Sequence, residues 1–461
     1  MSRFTGKTIA VVGLSIEGKD TIDFLLHEGC TIICCDRRKQ EDLADVVASY
    51  SNKPVAFYFG DDYLSPLLTA DVIIRTPGMS LATPELQIAR KKDIEITSAT
   101  KLFFELCPCP IIGVTGTKGK GTTSTLIHEM LKADGKTAYL GGNVGVPLLS
   151  KVRSISVSDW VVFELSSFQL EDMTVSPHIA VVLRITQDHL ANFDVNATSY
   201  HESREEYVKA KSHIVSHQKK EDIAIINSGN ETACSYETLT PATIFRFNRY
   251  SKNADCFVDN HTVTLIENGE EIDVCTARTV KIRGDHNLEN IAAATLAARV
   301  AGVAIPAIQK AATAFEGLEH RLEFVKTIEG VSYYNDSFST TPETTIAAIE
   351  SFEEPKVLIL GGSEKKSDFT EMGKRIASSN VIGAVVIGQM TERIVEALKK
   401  AKFAGTIIQG SQTMHEVINE ARRIATPGSV VILTPACASF GMFTNYKERG
   451  KQFKHEILAL S

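Results

Sequence analysis

Short apolar runs without a polar break, each followed by a turn and a helix-periodic stretch, recur down the whole chain and constrain its fold more than any other feature. "KTIAVVGLS" (7–15), "GKDTIDFLLHEG" (18–29) and "CTIICCDRR" (30–38) read strand, helix, strand, with a further strand in "ADVIIRTPGM" (70–79). Strands apolar on both faces belong in a parallel sheet covered on both sides by helices. The pattern predicts a Rossmann-like domain over residues 1–108, and "LCPCP" (106–110) breaks it with two prolines before the next strand, "IIGVTG".

The alternation then repeats. "TAYLGGNVG", "DWVVFELSS" and "HIAVVLRITQDHL", the last ending in Asp188 and His189, read as strands of a central, mostly parallel sheet over 109–318, resembling a P-loop ATPase. It closes with the alanine-rich helix of "GDHNLENIAAATLAARVAG". "VSYYNDS", "PKVLILGG", "VIGAVVIG" and "GSVVILTPACASF" predict a second Rossmann-like domain over 319–461. A three-domain α/β chain is the expectation, and 461 residues suit that number.

Bulk properties exclude several classes. A net charge of -7 argues against nucleic acid as a partner, since polyanion binding needs a basic face. The sequence has no apolar run near the roughly 20 residues of a membrane span and no signal-peptide pattern, so a cytoplasmic protein is expected. Nine scattered cysteines without a CxxC pair read as reduced, mostly buried thiols rather than a zinc ribbon or disulfide framework.

"GVTGTKGKGTTSTLI" (113–127) puts strand, glycines and helix start in succession. Backbone N–H groups and a helix N-terminus then face an anion, with Lys120 as the cation for terminal phosphates. The usual spacing wants a glycine at Val114 and a hydroxyl at Gly121. Thr122 and Thr123 follow at once, so the magnesium ligand is expected one residue late; a chance Gly-Lys cluster in a strand–helix turn is the competing explanation. Glu164 at a strand end, with Asp188 and His189, puts acidic and imidazole groups at the sheet edge where metal ligands belong, although each alone reads as a core or capping residue. Lys211, on a helix, reads alone as a solvated surface lysine. Asn287, Asn290, His320, Arg321 and Asp336 gather around a domain junction, against which turn, salt-bridge and N-cap roles stand.

In order along the full chain, "TGTKGKGTT", "GGNVG", "ELSSFQLE", "TQDHL", "YVKAK", "GDHNLEN", "GLEHRLE", "NDSFSTTPETTIAAI", "GGSEKK" and "PACASFGMFTNYKERG" resemble the Mur ligases; "ELSSFQLE" and "PACAS" point to the D-glutamate-adding branch. The resemblance implies an ATP-dependent amide ligase that joins D-glutamate to UDP-N-acetylmuramoyl-L-alanine through an acyl phosphate, in cytoplasmic peptidoglycan precursor synthesis. It implies that Lys120, Glu164, His189 and Lys211 carry the chemistry. ATP would lie on Gly116, Thr117, Lys118, Gly119, Lys120, Gly121, Thr122 and Thr123, with Asn287, Asn290, Arg321 and Asp336. Two magnesium ions are implied, one on Thr122 and Glu164 and one on His189 and a carbamylated Lys211.

The UDP-substrate would meet Ser15, Ile16, Asp36, Arg37, Arg38, Thr76, Pro77, Gly78, Asn143, Ser166, Gln169 and His189, with the Gly13–Gly18 turn at the pyrophosphate. D-Glutamate would meet Thr340, Lys365, Ser439 and Tyr446. Small-molecule substrates, no nucleic acid, no membrane and a monomer are implied.

Three departures stand out. The phosphate loop is closer to that of folylpolyglutamate synthetases, Phe338 stands where many family members have a lysine, which Lys365 or Lys366 would replace, and Glu17 sits at the uridine turn. A folylpolyglutamate-type ligase is the alternative within the mechanism, and the N-terminal domain argues against it. A non-catalytic Mur-like subunit lacks its zinc-ribbon cysteines here. A nicotinamide oxidoreductase rests on "GLSIEG" and Asp36 alone, with Ser15 replacing the middle glycine of the fingerprint.

Overall fold

A computed structural model describes residues 2–143, 145–186, 201–249, 251–363 and 367–460. By contacts the chain divides into two compact units, one of Met1–Asp259, Thr264–Val274 and Asn290–Ala311, the other of Asn260–Val263, Cys275–Glu289 and Ala312–Ser461.

In the first unit, β1 (Thr8–Val12), β2 (Thr31–Asp36), β3 (Val55–Phe59), β4 (Val72–Arg75) and β5 (Glu95–Ser98) form a sheet of order β3-β2-β1-β4-β5. Every pairing is parallel. The order reverses between β1 and β4, which opens a crevice at their C-terminal ends. The apolar runs gave β1, β2 and β4. The short edge strand β5 is partly polar and carried no such signal, whereas β3 is the apolar run VAFYF, alternately exposed and half-buried, and was missed.

The second sheet holds β6 (Ile111–Thr115), β7 (Ala138–Gly142), β8 (Trp160–Glu164), β9 (Ile179–Val182), β10 (Ile223–Asn227), β11 (Thr243–Asn248), β12 (Cys256–Asp259), β13 (Thr262–Glu267) and β14 (Glu270–Thr276), in order β14-β13-β12-β11-β10-β9-β6-β8-β7. The pairs from β7 through β12 are parallel. One expectation needs correcting: β9 ends at Val182, well before Asp188. Past it the backbone bonds the phosphate loop, with Thr117 N–H donating to Arg184 O at 2.8 Å, so the sheet ladder stops there.

The first and second sheets share one apolar core. It runs from Phe4, Ile9 and Val11 through Leu102 and Phe103 to Phe163, Ala180 and Val182. Phe103 and Phe104, on the helix Ala99–Leu106, each put their ring 5.5 Å from that of Phe163 on β8. Arg75, at the end of β4, is fully buried across the same seam. Its Nε donates to Asp172 at 2.8 Å and its remaining nitrogens to the carbonyls of Phe168 and Met79, both at 3.1 Å.

The second unit carries β15 (Glu323–Ile328), β16 (Val331–Asn335), β17 (Lys356–Gly361), β18 (Val381–Ile387), β19 (Thr406–Gln409) and β20 (Val430–Leu433), in order β15-β16-β20-β17-β18-β19. Only the β15/β16 pairing is antiparallel. Leu358 and Leu360 pack with the helices Thr370–Ala377 and Thr391–Lys400, while Val357 and Ile359 pack with Met414–Ile424 and Tyr446–Ala459. A strand buried on both faces explains the unbroken apolar run of "KVLILG".

Removing Arg75 leaves the Asp172 carboxylate mostly buried without its partner, a change that costs roughly 3–5 kcal/mol. We predict that Arg75→Ala lowers the urea midpoint followed by fluorescence of Trp160, the sole tryptophan, at the head of β8. An unmoved midpoint would mean that the seam does not depend on this arginine.

Candidate active site

The phosphate loop leaves β6 at Thr115 and enters the helix Lys120–Ala133 through Gly116 (φ +154°) and Gly119 (φ +86°). A Cβ at Gly116 would lie 2.6 Å from the Leu183 side chain, and one at Gly119 would lie 2.3 Å from Asn290 Oδ1. Both positions therefore need glycine for backbone conformation and for space. Gly119 caps the helix with no side-chain acceptor, so the first-turn N–H groups face outward for an anion.

Thr117 turns the other way. Its hydroxyl lies 3.0 Å from the Tyr207 hydroxyl and accepts the Thr186 N–H at 2.8 Å, so this predicted ATP ligand fastens the loop from behind. Lys120 Nζ donates to Gly116 O and Thr117 O, both at 3.1 Å, bridging two carbonyls of its own loop. Lys118 is exposed, Gly121 and Thr122 are buried in the first turn, and Thr123 Oγ1 donates to Asn290 Oδ1 at 3.4 Å. Asn290 thus supports the loop as well as Gly119's neighbourhood.

Glu164 ends β8 beside β6, in register with Val114, and is 4% exposed. Its Oε2 is buried and has no hydrogen-bond partner among the described residues. An unpartnered carboxylate oxygen in such surroundings is costly until a cation meets it, so this donor fits a divalent metal.

Lys211, on the helix Arg204–Ser216, corrects the surface reading: it is 1% exposed. Its Nζ donates to Thr115 Oγ1 at 3.3 Å and stands 4.8 Å from the centre of the Tyr207 ring, while Thr115 Oγ1 donates to Leu165 O at 2.9 Å. Loop, strand end and lysine are one hydrogen-bonded group. Asp188 and His189 lie outside the described residues.

At the crevice of the first sheet, Gly13 (φ +87°) turns the chain so tightly that a Cβ on Gly18 would lie 1.9 Å from Gly13 O. Asp36 Oδ2 accepts the Leu14 N–H at 2.7 Å, and Oδ1 accepts Arg38 N–H and Nε, both at 3.0 Å. Burial alone would raise the Asp36 carboxyl, but these bonds hold it below its ordinary value. Ser15, Ile16, Arg37, Arg38 and Gly78 are exposed around this turn, Ile16 at 69%, and Thr76 and Pro77 are half-buried. Glu17, half-buried, lines a cavity of about 10 Å³ with Arg75 and Thr76. Burial pushes it up to about 7, with Asp20 adding to the effect and a Thr100 hydrogen bond and the charge of Arg75 opposing it. Its charge is thus weaker near neutral pH than that of an ordinary carboxylate.

Ser166 and Gln169 form a capping box on the helix Ser167–Leu170, and Gln169 Nε2 donates to Thr100 Oγ1 at 3.3 Å. They anchor the segment; Asn143 remains exposed. A cleft of about 450 Å³ beside it is lined by Ser80, Leu81, Gln87, Glu171, His201 and Glu206. Lys209 and His213 also line it, so its walls carry both signs of charge.

In the second unit, His320 (φ +66°) and Leu322 (φ +44°) are left-handed non-glycine residues flanking Arg321. Asp336 holds this strained turn: its Oδ1 accepts the Leu322 N–H at 3.1 Å, and Oδ2 accepts the hydroxyls of Ser339 and, at 3.1 Å, Thr434. Burial pushes the Asp336 carboxyl up to about 7 against these bonds. The Arg321 guanidinium lies 3.9 Å from the centre of the Phe338 ring, which meets the Tyr446 ring edge-on at 5.1 Å. Asn287 Nδ2 donates to Arg283 O at 2.7 Å. Ser439 is buried and Thr340 half-buried; Lys365 and Lys366 lie outside the described residues.

Sequence reasoning assigned no role to Arg449. Fully buried, it donates to Ser337 Oγ at 3.0 Å, Ser337 O at 2.9 Å and Cys437 O at 3.3 Å, fastening "NDS" to "PACAS". Burial pushes its guanidinium down to about 10. A charged "KER" at a helix start reads as solvated face, which hid this arginine.

Known proteins match along the whole chain. The model of the Mur ligase MurD-like N-terminal domain matches residues 7–98, the Mur ligase middle domain 114–298, and the Mur ligase glutamate ligase domain 320–437. The UDP-N-acetylmuramoylalanine--D-glutamate ligase of Acetivibrio thermocellus is 38% identical over 461 residues, covering 99% of this chain and 97% of the relative. That of Symbiobacterium thermophilum is 38% identical over 455 residues, 98% of each. Among solved structures, the UDP-N-acetylmuramate-alanine ligase MurC of Thermotoga maritima has a TM-score of 0.61 at 18% identity, covering 98% of this chain and 99% of that one. A pseudomurein peptide ligase type C from Methanothermus fervidus has 0.58 at 16%, covering 98% and 100%. The solved structures support the three-domain α/β fold, and the full-length identity of the relatives carries more: the chain belongs to the Mur ligase family.

Proposed function

We propose that this Mur ligase couples ATP cleavage to formation of an amide between UDP-N-acetylmuramoyl-L-alanine and D-glutamate. The observation that carries the chemistry is the pairing of an outward-facing phosphate loop with the buried, unpartnered Glu164 oxygen. The choice of substrates is supported by relatives of that name that align over 98–99% of this chain at 38% identity.

In this reading residues 1–108 take the UDP end. Ser15, Ile16, Arg37, Arg38 and Thr76–Gly78 rim the uridine site, and Asp36 acts by orienting Arg38. Residues 109–318 bind ATP, with Lys120 exchanging its own loop carbonyls for phosphate oxygens. Residues 319–461 bring D-glutamate, with Thr340, Lys365, Ser439 and Tyr446 as its contacts. Thr122 and Glu164 would hold one magnesium, His189 and a carbamylated Lys211 a second. The metal would supply the positive charge that a carboxylate attacking an anionic phosphate requires.

The L-alanine carboxylate attacks the γ-phosphorus and ADP leaves. The D-glutamate amine then attacks the acyl carbon, forming the amide, and inorganic phosphate departs with its bond to that carbon broken. An unmodified ammonium cannot ligate a cation, so a metal-holding role for Lys211 requires the carbamate. We also infer a monomer working in the cytoplasm on small molecules; among the described residues no helix is long and apolar enough to cross a membrane.

The deciding experiment measures phosphate release from ATP with magnesium and UDP-N-acetylmuramoyl-L-alanine, offering D-glutamate, L-glutamate, meso-diaminopimelate and L-lysine in parallel. Release with D-glutamate alone is expected; release with another amino acid reassigns the substrate within the same mechanism. Thr122→Ala should lower kcat/KM on the order of 100-fold and raise the magnesium needed for half-maximal rate, as loss of a metal-shell group does. An unchanged magnesium dependence would return that role to another residue. Depleting carbon dioxide should slow the wild type and bicarbonate should restore it, whereas Lys211→Ala should stay slow in both. A wild type indifferent to carbon dioxide would remove the carbamate.

A further inference from the structure

Two thiols outside the site stand within reach of each other. Cys107 and Cys109, in "LCPCP", have their sulfurs 3.6 Å apart. The backbone around them is held on both sides: Cys107 N–H donates to Phe103 O at 2.8 Å as the C-cap of the helix Ala99–Leu106, Pro110 O accepts the Val161 N–H at 3.2 Å, and Ile111 N–H donates to His178 Nδ1 at 3.1 Å. Pro108 and Pro110 fix φ between these anchors, so the backbone that carries the two thiols is restrained. Forming a disulfide needs the gap to close by roughly 1.6 Å.

We propose that Cys107 and Cys109 are an oxidation site: Cys107 attacks a hydroperoxide, Cys109 resolves it, and the product is a reversible disulfide within this segment. The two sulfurs differ in the way such a pair requires. Cys107 is half-exposed, whereas Cys109 is 2% exposed. The sulfur–sulfur contact, in which either thiol can donate, holds Cys107 below the usual thiol range and, together with burial, raises Cys109; Cys107 Sγ also lies 3.7 Å from Cys109 O. Burial pushes Cys35 and Cys275 up to about 12 and raises Cys34, Cys30 and Cys234 as well. Attack by thiolate therefore falls on Cys107.

In the first step the Cys107 sulfur bonds one peroxide oxygen, the O–O bond breaks, and the departing oxygen leaves as water or alcohol, giving a sulfenic acid. The Cys109 sulfur then bonds the Cys107 sulfur, the S–O bond breaks, and the hydroxyl leaves as water with the Cys109 proton. Two thiols are oxidised and one hydroperoxide is reduced. The ring closed is as short as a Cys-Pro-Cys segment allows, so it constrains the unfolded chain little, and a dithiol reductant reopens it. The inference is independent of the ligase reading, because it uses no residue of that site.

The test treats the full-length protein with hydrogen peroxide without reductant, blocks remaining thiols with iodoacetamide and maps the digested peptides. The peptide holding both cysteines should be recovered unalkylated and two hydrogens lighter, and dithiothreitol should restore its alkylation. Its oxidation should outpace that of Cys34 and Cys35 by at least about tenfold. Cys109→Ser should stop Cys107 at the sulfenic acid, captured by a 1,3-dione probe, whereas Cys107→Ser should leave Cys109 a thiol. If Cys107 and Cys109 are both alkylated after the other cysteines have oxidised, or if Cys109→Ser gives no captured sulfenic acid, the proposal fails.

Discussion

A phosphate loop works only while its amides point outward, and here that orientation depends on bonds made in the opposite direction. Thr117 is held by Tyr207, Thr186 and Arg184, and Thr115 by Leu165 and Lys211. These contacts join β6, β8, the chain beyond β9 and the helix Arg204–Ser216 behind the loop. The glycines supply the conformations, but the threonines decide which face of the loop meets water. Lys120 completes the balance: bonded to its own loop carbonyls, it gives the loop an internal cation until an anion replaces them.

The second unit solves a different problem with the same means. Arg321 projects from a turn whose flanking residues sit at positive φ, a conformation of order 1–3 kcal/mol each that persists only when the surroundings impose it. Asp336 imposes it by accepting the Leu322 N–H, and Ser339 and Thr434 hold that carboxylate in place. Phe338 then serves as a platform beneath the guanidinium, so the residue that looked like a missing cation lies under one. Arg449 ties the same loop to the one after β20, replacing backbone pairing where the chain is irregular.

The elements legible in the sequence were those whose burial is two-sided. β1, β2, β6, β8, β17, β18 and β20 appear as unbroken apolar runs because helices cover both faces. β5 and β19 are sheet-edge strands whose short, mixed composition resembles loop; β3, also at an edge, is apolar as VAFYF but stands as a brief run between the turn-like SNKP and GDD. Glu164, which alone reads as a core or capping residue, was legible because it ends an apolar strand at the sheet edge that also carries the phosphate loop. Lys211 was not: helical spacing puts a lysine on a face without saying whether that face meets water or Thr115. Nor did the sequence separate the anchoring roles of Thr117 and Gln169 from ligand contact, since a hydroxyl or amide beside a site serves either purpose and only its hydrogen-bond partners decide.

The same distinction explains why a Rossmann-like first sheet need not bind a dinucleotide. In that use the acid after β2 must keep an oxygen for a ribose hydroxyl. Asp36 has the right position, but Leu14 and Arg38 occupy both of its oxygens, and the bonds that lower its carboxyl also keep it charged beside the guanidinium. What the crevice offers outward is therefore the donor face of Arg38 and the exposed Arg37, together with an uncapped helix start at Ser15 and the apolar Ile16. Glu17, which would oppose an anion at that helix start, faces Thr100 and Arg75, and burial pushes its carboxyl up to about 7. With Asp36 engaged by Leu14 and Arg38, the polar groups left at the surface of the turn are the arginines and the helix start, so the acid that a dinucleotide site keeps for a diol is already taken here.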